Sequence, residues 1–193
     1  EEGNKITSYM QEAKASGTNI LPPDIQKSDA KFIIEKDSIR FALMAIKNVG
    51  EQAVKDIVAQ RRAGGPFKSL EEFYSRVDGR QVNKKVVESL IKAGAFDFLA
   101  EREDVALPTH VRAKALAALE KLSSSKETIN AAQTALFEMT AEEKAVSYEP
   151  WPEHILLNNE KEVLGFYISG HPLAKFREVM KTLTTHPLNS LPQ

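Results

Sequence analysis

Apolar residues along the chain recur mostly at helical spacing, and the polar breaks between them mark out a short β-prone opening followed by a succession of helices. A polar helical stretch over residues 5–16 stops at Gly17. The following ILPPDIQKS is extended, because Pro22 and Pro23 fit no helix interior. So abrupt a start reads as a chain cut from something longer. Residues 31–34 and 39–43 are β-prone runs flanking Glu35-Lys36-Asp37-Ser38, a pattern that predicts a small β-hairpin. A short helical segment over residues 41–46 competes with that hairpin for positions 41–43. After the interruption KNVG, residues 51–62 resume with Ala53, Val54, Ile57 and Val58 on one face and end at Gly64-Gly65-Pro66.

Ser69-Leu70-Glu71-Glu72 has capping-box spacing and predicts a helix over 70–77. Asn83 is placed to cap another over 84–92, with Val86, Val87, Leu90 and Ile91 on one face and a stop at Gly94. A further helix over 109–122 carries Val111, Ala115, Leu119 and Leu122 and is expected to end in Ser123-Ser124-Ser125. The polar stretch 126–152 reads as a linker with one island, AAQTALFEM, and helices over 158–169 and 173–183 flank Gly170-His171-Pro172. The sum is a mainly α chain with one small β element.

Composition changes this picture in two places. No cysteine is present among the 193 residues, which removes disulfides and thiolate chemistry, and His110, His154, His171 and His186 show no ligand pairing. No apolar run approaches membrane-spanning length and no signal peptide opens the sequence, so no membrane contact and a cytoplasmic location are expected. The net charge of −1 hides an asymmetry: residues 40–92 carry eleven Lys or Arg against six acids, an excess of +5 inside an otherwise acidic chain. A local basic excess points to contact with a polyanion, although solvated helix faces would give the same count.

Candidate chemistry concentrates at Ile46-Lys47-Asn48-Val49-Gly50-Glu51, which joins two apolar-faced segments through a tight turn. Asn48 tolerates left-handed backbone, and Gly50 is expected to supply unusual backbone angles. Backbone N–H groups from Val49 to Gln52 then face outward at the start of a helix, a ready anion site, with Lys47, Lys55, Arg61 and Arg62 adding attraction. An antiparallel helix pair in which Gly50 is only a cap explains the same letters. Glu51 in the first turn argues against a phosphate unless it points away. The segment around Lys84, Lys85 and Gly94, with apolar residues 96–99 after it, suggests a second, degenerate copy of the same device.

IKNVGEQAVKDIV, GGPFKSLEEFYSRVD and VNKKVVESLIKAGAFD together resemble the tandem helix-hairpin-helix domain of the bacterial DNA polymerase III alpha subunit family. LPPDIQKSDAKF and IRFALMAIKNVG are similar to the end of that family's fingers domain, and PWPEHILLNNEKEVLGFYISGHPL to the stretch before its OB-fold. The family usually has Gly-x-Gly at the hairpin, so Asn48 is a departure there. The resemblance implies four regions: 1–40 as the end of a fingers-like region with the β-hairpin, 41–122 as the tandem helix-hairpin-helix domain, 123–152 as a linker, and 153–193 as a helical segment leading to an OB-fold. It further implies a template-directed polymerase of the cytoplasmic replisome, with double-stranded DNA and other replisome subunits as partners. The family's palm aspartates bind the catalytic magnesium ions. They have no counterpart in this chain, which is expected to hold no cofactor and no catalytic residue.

Within the linker, Gln133-Thr134-Ala135-Leu136-Phe137 resembles the peptide by which clamp partners dock on the sliding clamp, with Leu136 and Phe137 as apolar anchors and Gln133 setting register. One face of an amphipathic helix, built from Ile129, Ala132 and Leu136, accounts for the same residues. His171 reads as part of a turn, Trp151 as a packing anchor, and Asp37, Asp56, Asp78 and Asp97 as turn or solvent-face residues. A pure protein-interaction scaffold and the hairpin domain of a repair enzyme remain the alternative classes.

Overall fold

The computed structural model describes residues 2–102, 107–131, 147–176 and 179. It is mainly helical, with one small mixed sheet. Helix α1 (Glu2–Ala15) leads into β1 (Asn19–Leu21), and the expected hairpin is present as β2 (Ile33–Glu35) and β3 (Ser38–Arg40). Lys36 takes the left-handed backbone (φ 54°) that so short a turn requires. The sheet order is β1-β3-β2, with β1 parallel to β3 and β2 antiparallel to it. The β1 strand was not expected, because its three residues sit directly before Pro22 and pair with a segment nineteen positions on, Asn19 with Ser38. Arg40 locks the sheet, its Nη2 donating to Glu35 Oε2 at 2.8 Å and its Nη1 to the Pro22 carbonyl at 3.0 Å.

The expected helix over 41–46 is instead a single 3₁₀ turn, Leu43–Ala45. Pairing continues past β3, since the Phe41 amide donates to the Leu21 carbonyl at 3.1 Å and the Leu43 amide to Asp29 at 2.9 Å. Too few residues then remain before Lys47 for a regular helix. Next come α2 (Glu51–Gly64), α3 (Leu70–Arg76) and α4 (Lys84–Ala93), close to their expected limits. Ser69 Oγ accepts from the Glu72 amide and Asn83 Oδ1 from the Val86 amide, both at 3.1 Å. Gly94 closes α4 in the left-handed region at φ 88°.

Helix α4 is the hub, packing against α5 (Pro108–Ala131) and α6 (Glu153–Leu164). Three phenylalanines, Phe67, Phe73 and Phe96, meet edge-on at 5.0 Å separations beneath it and tie α3 to the turn after α4. Ile57, Leu90, Ile91 and Leu119 fill the rest of the centre with no measurable exposure.

Helix α5 runs through the serines expected to end it, because Ser123 and Ser124 Oγ both bond back to the Glu120 carbonyl at 2.9 Å and so satisfy their hydroxyls inside the helix. Helix α6 begins five residues before the expected 158 and stops at Gly165, again left-handed (φ 86°). Of the helix expected over 173–183, a turn at Leu173 and a 3₁₀ turn at Ala174–Phe176 are seen, and the rest lies outside the described residues, apart from Val179.

Asp97 is no solvent-face residue. It receives Arg112 Nη2 at 2.7 Å and Nε at 2.9 Å, while Arg112 Nη1 reaches Glu160 Oε1 at 2.9 Å. Glu160 is wholly buried and also accepts the amides of Ile168 and Ser169 at 2.8 and 3.0 Å. This ionic cluster joins the end of α4, α5, α6 and the strip after α6 at one point. Burial pushes the Asp97 carboxyl above its usual range despite the guanidinium beside it.

Candidate nucleic-acid interface

The turn between the 3₁₀ segment and α2 is held from two sides. The Lys47 amide donates to the Val163 carbonyl in the last turn of α6 at 2.9 Å, and Asn48 Nδ2 donates to Ser89 Oγ in α4 at 3.0 Å. Asn48 carries the left-handed backbone of the turn, φ 68°. Val49 is buried and plugs the turn into the core, its amide donating to the Ile46 carbonyl at 3.1 Å. Gly50 differs from expectation. Its backbone, φ −87° and ψ 166°, is ordinary extended conformation open to any residue. What glycine leaves here is room, since a Cβ built on it meets nothing within 4 Å.

Gly50 is the N-cap of α2 and offers no side-chain cap, in contrast to Ser69 and Asn83 on the next two helices. The first-turn amides of Glu51 and Gln52 belong to the donors that helix geometry leaves without an intrahelical acceptor. Lys47, Gly50, Glu51 and Gln52 are exposed around them. Glu51 points along its own helix to Lys55, Oε1 to Nζ 2.8 Å, which holds its carboxyl below the usual range. The pair neutralises the acidic side chain that would otherwise oppose an anion at this helix end.

The other predicted residues are less gathered. Arg62 is exposed in the last turn of α2, roughly 18 Å along the axis from Gly50 at the standard helical rise. Arg61 beside it is partly buried, with Nη1 donating to the Ile25 and Ser28 carbonyls at 2.9 and 2.8 Å. Lys84 and Lys85 are exposed in the first turn of α4, where Lys85 pairs with Glu88 at 3.3 Å. Lys85 lies one turn before Ser89, on the flank of α4 that carries the Asn48 contact.

Gly94 is buried, and its amide already donates to Ile91. The Ala95 amide donates to Leu90, and a Cβ on Gly94 would collide with Arg112 Nη2. The two hairpins thus differ chemically: the first ends in an open helix start, the second in a closed, buried turn. Gln133, Leu136 and Phe137 lie outside the described residues.

Ser89 and Arg112 escaped the sequence reading. A signal for Ser89 existed, because it falls on the same face as Val86, Leu90 and Ala93, where a buried hydroxyl needs a partner. Among the described residues no group of three or more His, Cys, Asp or Glu side chains could hold a metal ion, and no helix is long and apolar enough to cross a membrane.

A tight left-handed turn feeding a helix start without a side-chain cap, braced on α4 and α6, is consistent with a helix-hairpin-helix type of domain. Residues 17–105 match the family model described as helix-hairpin-helix motif. Over nearly its whole length the chain is homologous to bacterial DNA polymerase III subunit alpha. It is 43% identical over 189 residues to that of Aquifex aeolicus, covering 97% of this chain, 38% identical over 179 residues to that of Thermus aquaticus, covering 91%, and 40% identical over 180 residues to that of Bacillus subtilis, covering 91%. The chain spans 14–15% of the length of these relatives.

Proposed function

We propose that this chain is the part of a replicative DNA-directed DNA polymerase that holds duplex DNA by its sugar–phosphate backbone, without reading base sequence, and that it also contacts the sliding clamp. The observation that carries the first half is the start of α2: an uncapped helix end with open space at Gly50, set on a braced left-handed turn, with Lys47 exposed in that turn and the acidic Glu51 paired to Lys55. Contacts of this kind grip phosphates and leave the bases unread. The match to the helix-hairpin-helix model and the homology to subunit alpha support reading the parent as a polymerase, and the proposal extends to a cytoplasmic replisome in which it works with other subunits. In this reading magnesium serves phosphoryl transfer in the parent polymerase; among the described residues no group of three or more His, Cys, Asp or Glu side chains could hold it.

The test is affinity for a short mixed-sequence duplex against salt. The logarithm of affinity is expected to fall linearly with the logarithm of salt concentration, by about 0.9 for each phosphate neutralised, and equally for unrelated sequences. An affinity indifferent to salt would instead support a protein-interaction scaffold. For the clamp, Gln133, Leu136 and Phe137 supply a hydrogen-bonding residue and two adjacent apolar anchors. Replacing all three with alanine is expected to weaken clamp binding at least about tenfold, the loss of a typical hot-spot anchor, while leaving duplex affinity unchanged. Clamp binding by the triple variant at wild-type strength would disprove this part.

A further inference from the structure

We infer that Ser89 is a positioning residue for the phosphate site, acting through Asn48; the inference rests on the proposed duplex-backbone contact. Asn48 is one of two described non-glycine residues with positive φ, and the other, Lys36, lies in the β2–β3 turn. Left-handed backbone is disfavoured for any residue with a Cβ. Asn48 sits only two positions before Gly50, so its backbone angles set the direction in which α2 and its first amides leave the turn. Asparagine tolerates it better than most but is not confined to it, because its side chain can also bond local backbone groups in other conformations.

Ser89 removes that freedom. Ser89 is 1% exposed on the face of α4, and its Oγ receives Asn48 Nδ2 at 3.0 Å across 41 positions of sequence. Together with the Lys47 amide on the Val163 carbonyl at 2.9 Å, it fixes two successive residues of the turn to two different helices. Asn48 and Ser89 thus do jointly what a glycine would do by conformational freedom alone, and they do it with less freedom for the turn to depart from the shape that aims the amides.

This division of labour makes an unusual prediction about pairs of changes. Ser89→Ala removes the acceptor and keeps helix propensity, so the urea midpoint of the 193-residue chain should change little. Affinity for a short mixed-sequence duplex should fall about three- to tenfold, the range that corresponds to one lost hydrogen bond, with the salt slope unchanged because the same phosphates are contacted. Adding Asn48→Gly to Ser89→Ala should restore affinity to within about twofold of wild type, since glycine reaches φ 68° unaided. Wild-type affinity in Ser89→Ala overturns the inference, as does a double variant no better than Ser89→Ala, which would mean that Ser89 acts through helix packing. Failure of the unmodified chain to bind duplex at all would overturn the phosphate-site reading beneath it.

Discussion

Replacing Arg112 with methionine is expected to cost about 3–5 kcal/mol of folding stability, the range for stranding buried charges by removing their partner. The guanidinium is 2% exposed and has every arm occupied: Nε and Nη2 on Asp97, Nη1 on Glu160 and on the Lys92 carbonyl at 3.2 Å, and Nη2 on Ser169 Oγ at 3.3 Å. Methionine fills much of the same volume, so the loss isolates charge from cavity. Without Arg112, two carboxylates face the same low-dielectric site. The Asp97 carboxyl, already raised by burial, loses the cation that opposes the rise. A carboxyl raised in the folded state favours folding while protonated and disfavours it as pH climbs through its folded value. The deficit of Arg112→Met should therefore narrow on moving from neutral to mildly acid solution.

Urea denaturation at the two pH values measures this directly, and an unchanged slope with a shifted midpoint confirms that only stability has moved. Adding Asp97→Asn and Glu160→Gln to Arg112→Met should return much of the loss, because neutral amides cost far less to bury than unpaired carboxylates. A loss below about 1 kcal/mol in the single variant would mean that the cluster is solvated in solution and does not brace the fold. The cluster also matters to the candidate site. Glu160 and Val163 lie on the same short helix, so the point where Lys47 is anchored depends on how firmly Arg112 holds α6.

The parts of this molecule written in local sequence were legible, and the parts that depend on distant partners were not. Ser69, Asn83 and Gly94 announce helix boundaries within four residues of themselves, and the structure places α3 and α4 accordingly. The KNVG turn was legible for the same reason, although the residue that needs the left-handed backbone is Asn48 and Gly50 does not. Arg112 meets Asp97 at a separation of 15 positions and Glu160 at 48, so no window of sequence contains the cluster. Asn48 and Ser89 are 41 apart. Arg61 shows the cost of reading charge without geometry: it counts toward a basic stripe, yet its Nη1 pins the turn at residues 25–28, expected to be extended, to α2. Lys47, with an exposed side chain and an amide committed to α6, carries both roles at once.

Gly50→Asp is the substitution that divides stability from binding most cleanly. The N-cap position of α2 has the extended backbone that aspartate adopts there without strain, and its Cβ would meet nothing within 4 Å. The new carboxylate would accept from the free first-turn amides and complement the helix dipole, so folding stability should hold or rise by a few tenths of a kcal/mol, roughly the glycine-to-aspartate difference at N-caps. The same carboxylate takes the position and the charge that a DNA phosphate needs. Duplex affinity should drop at least about tenfold at moderate salt, and the salt slope should shrink by about 0.9, one phosphate's share. Gly50→Ser supplies the cap without the charge and should bind between the two. Were Gly50 only a helix cap, aspartate would improve the helix and leave binding untouched. A thermal melt beside a salt titration of the duplex complex decides it: a variant that folds at least as well and binds as tightly, with an undiminished salt slope, means that the start of α2 is not where the phosphate sits.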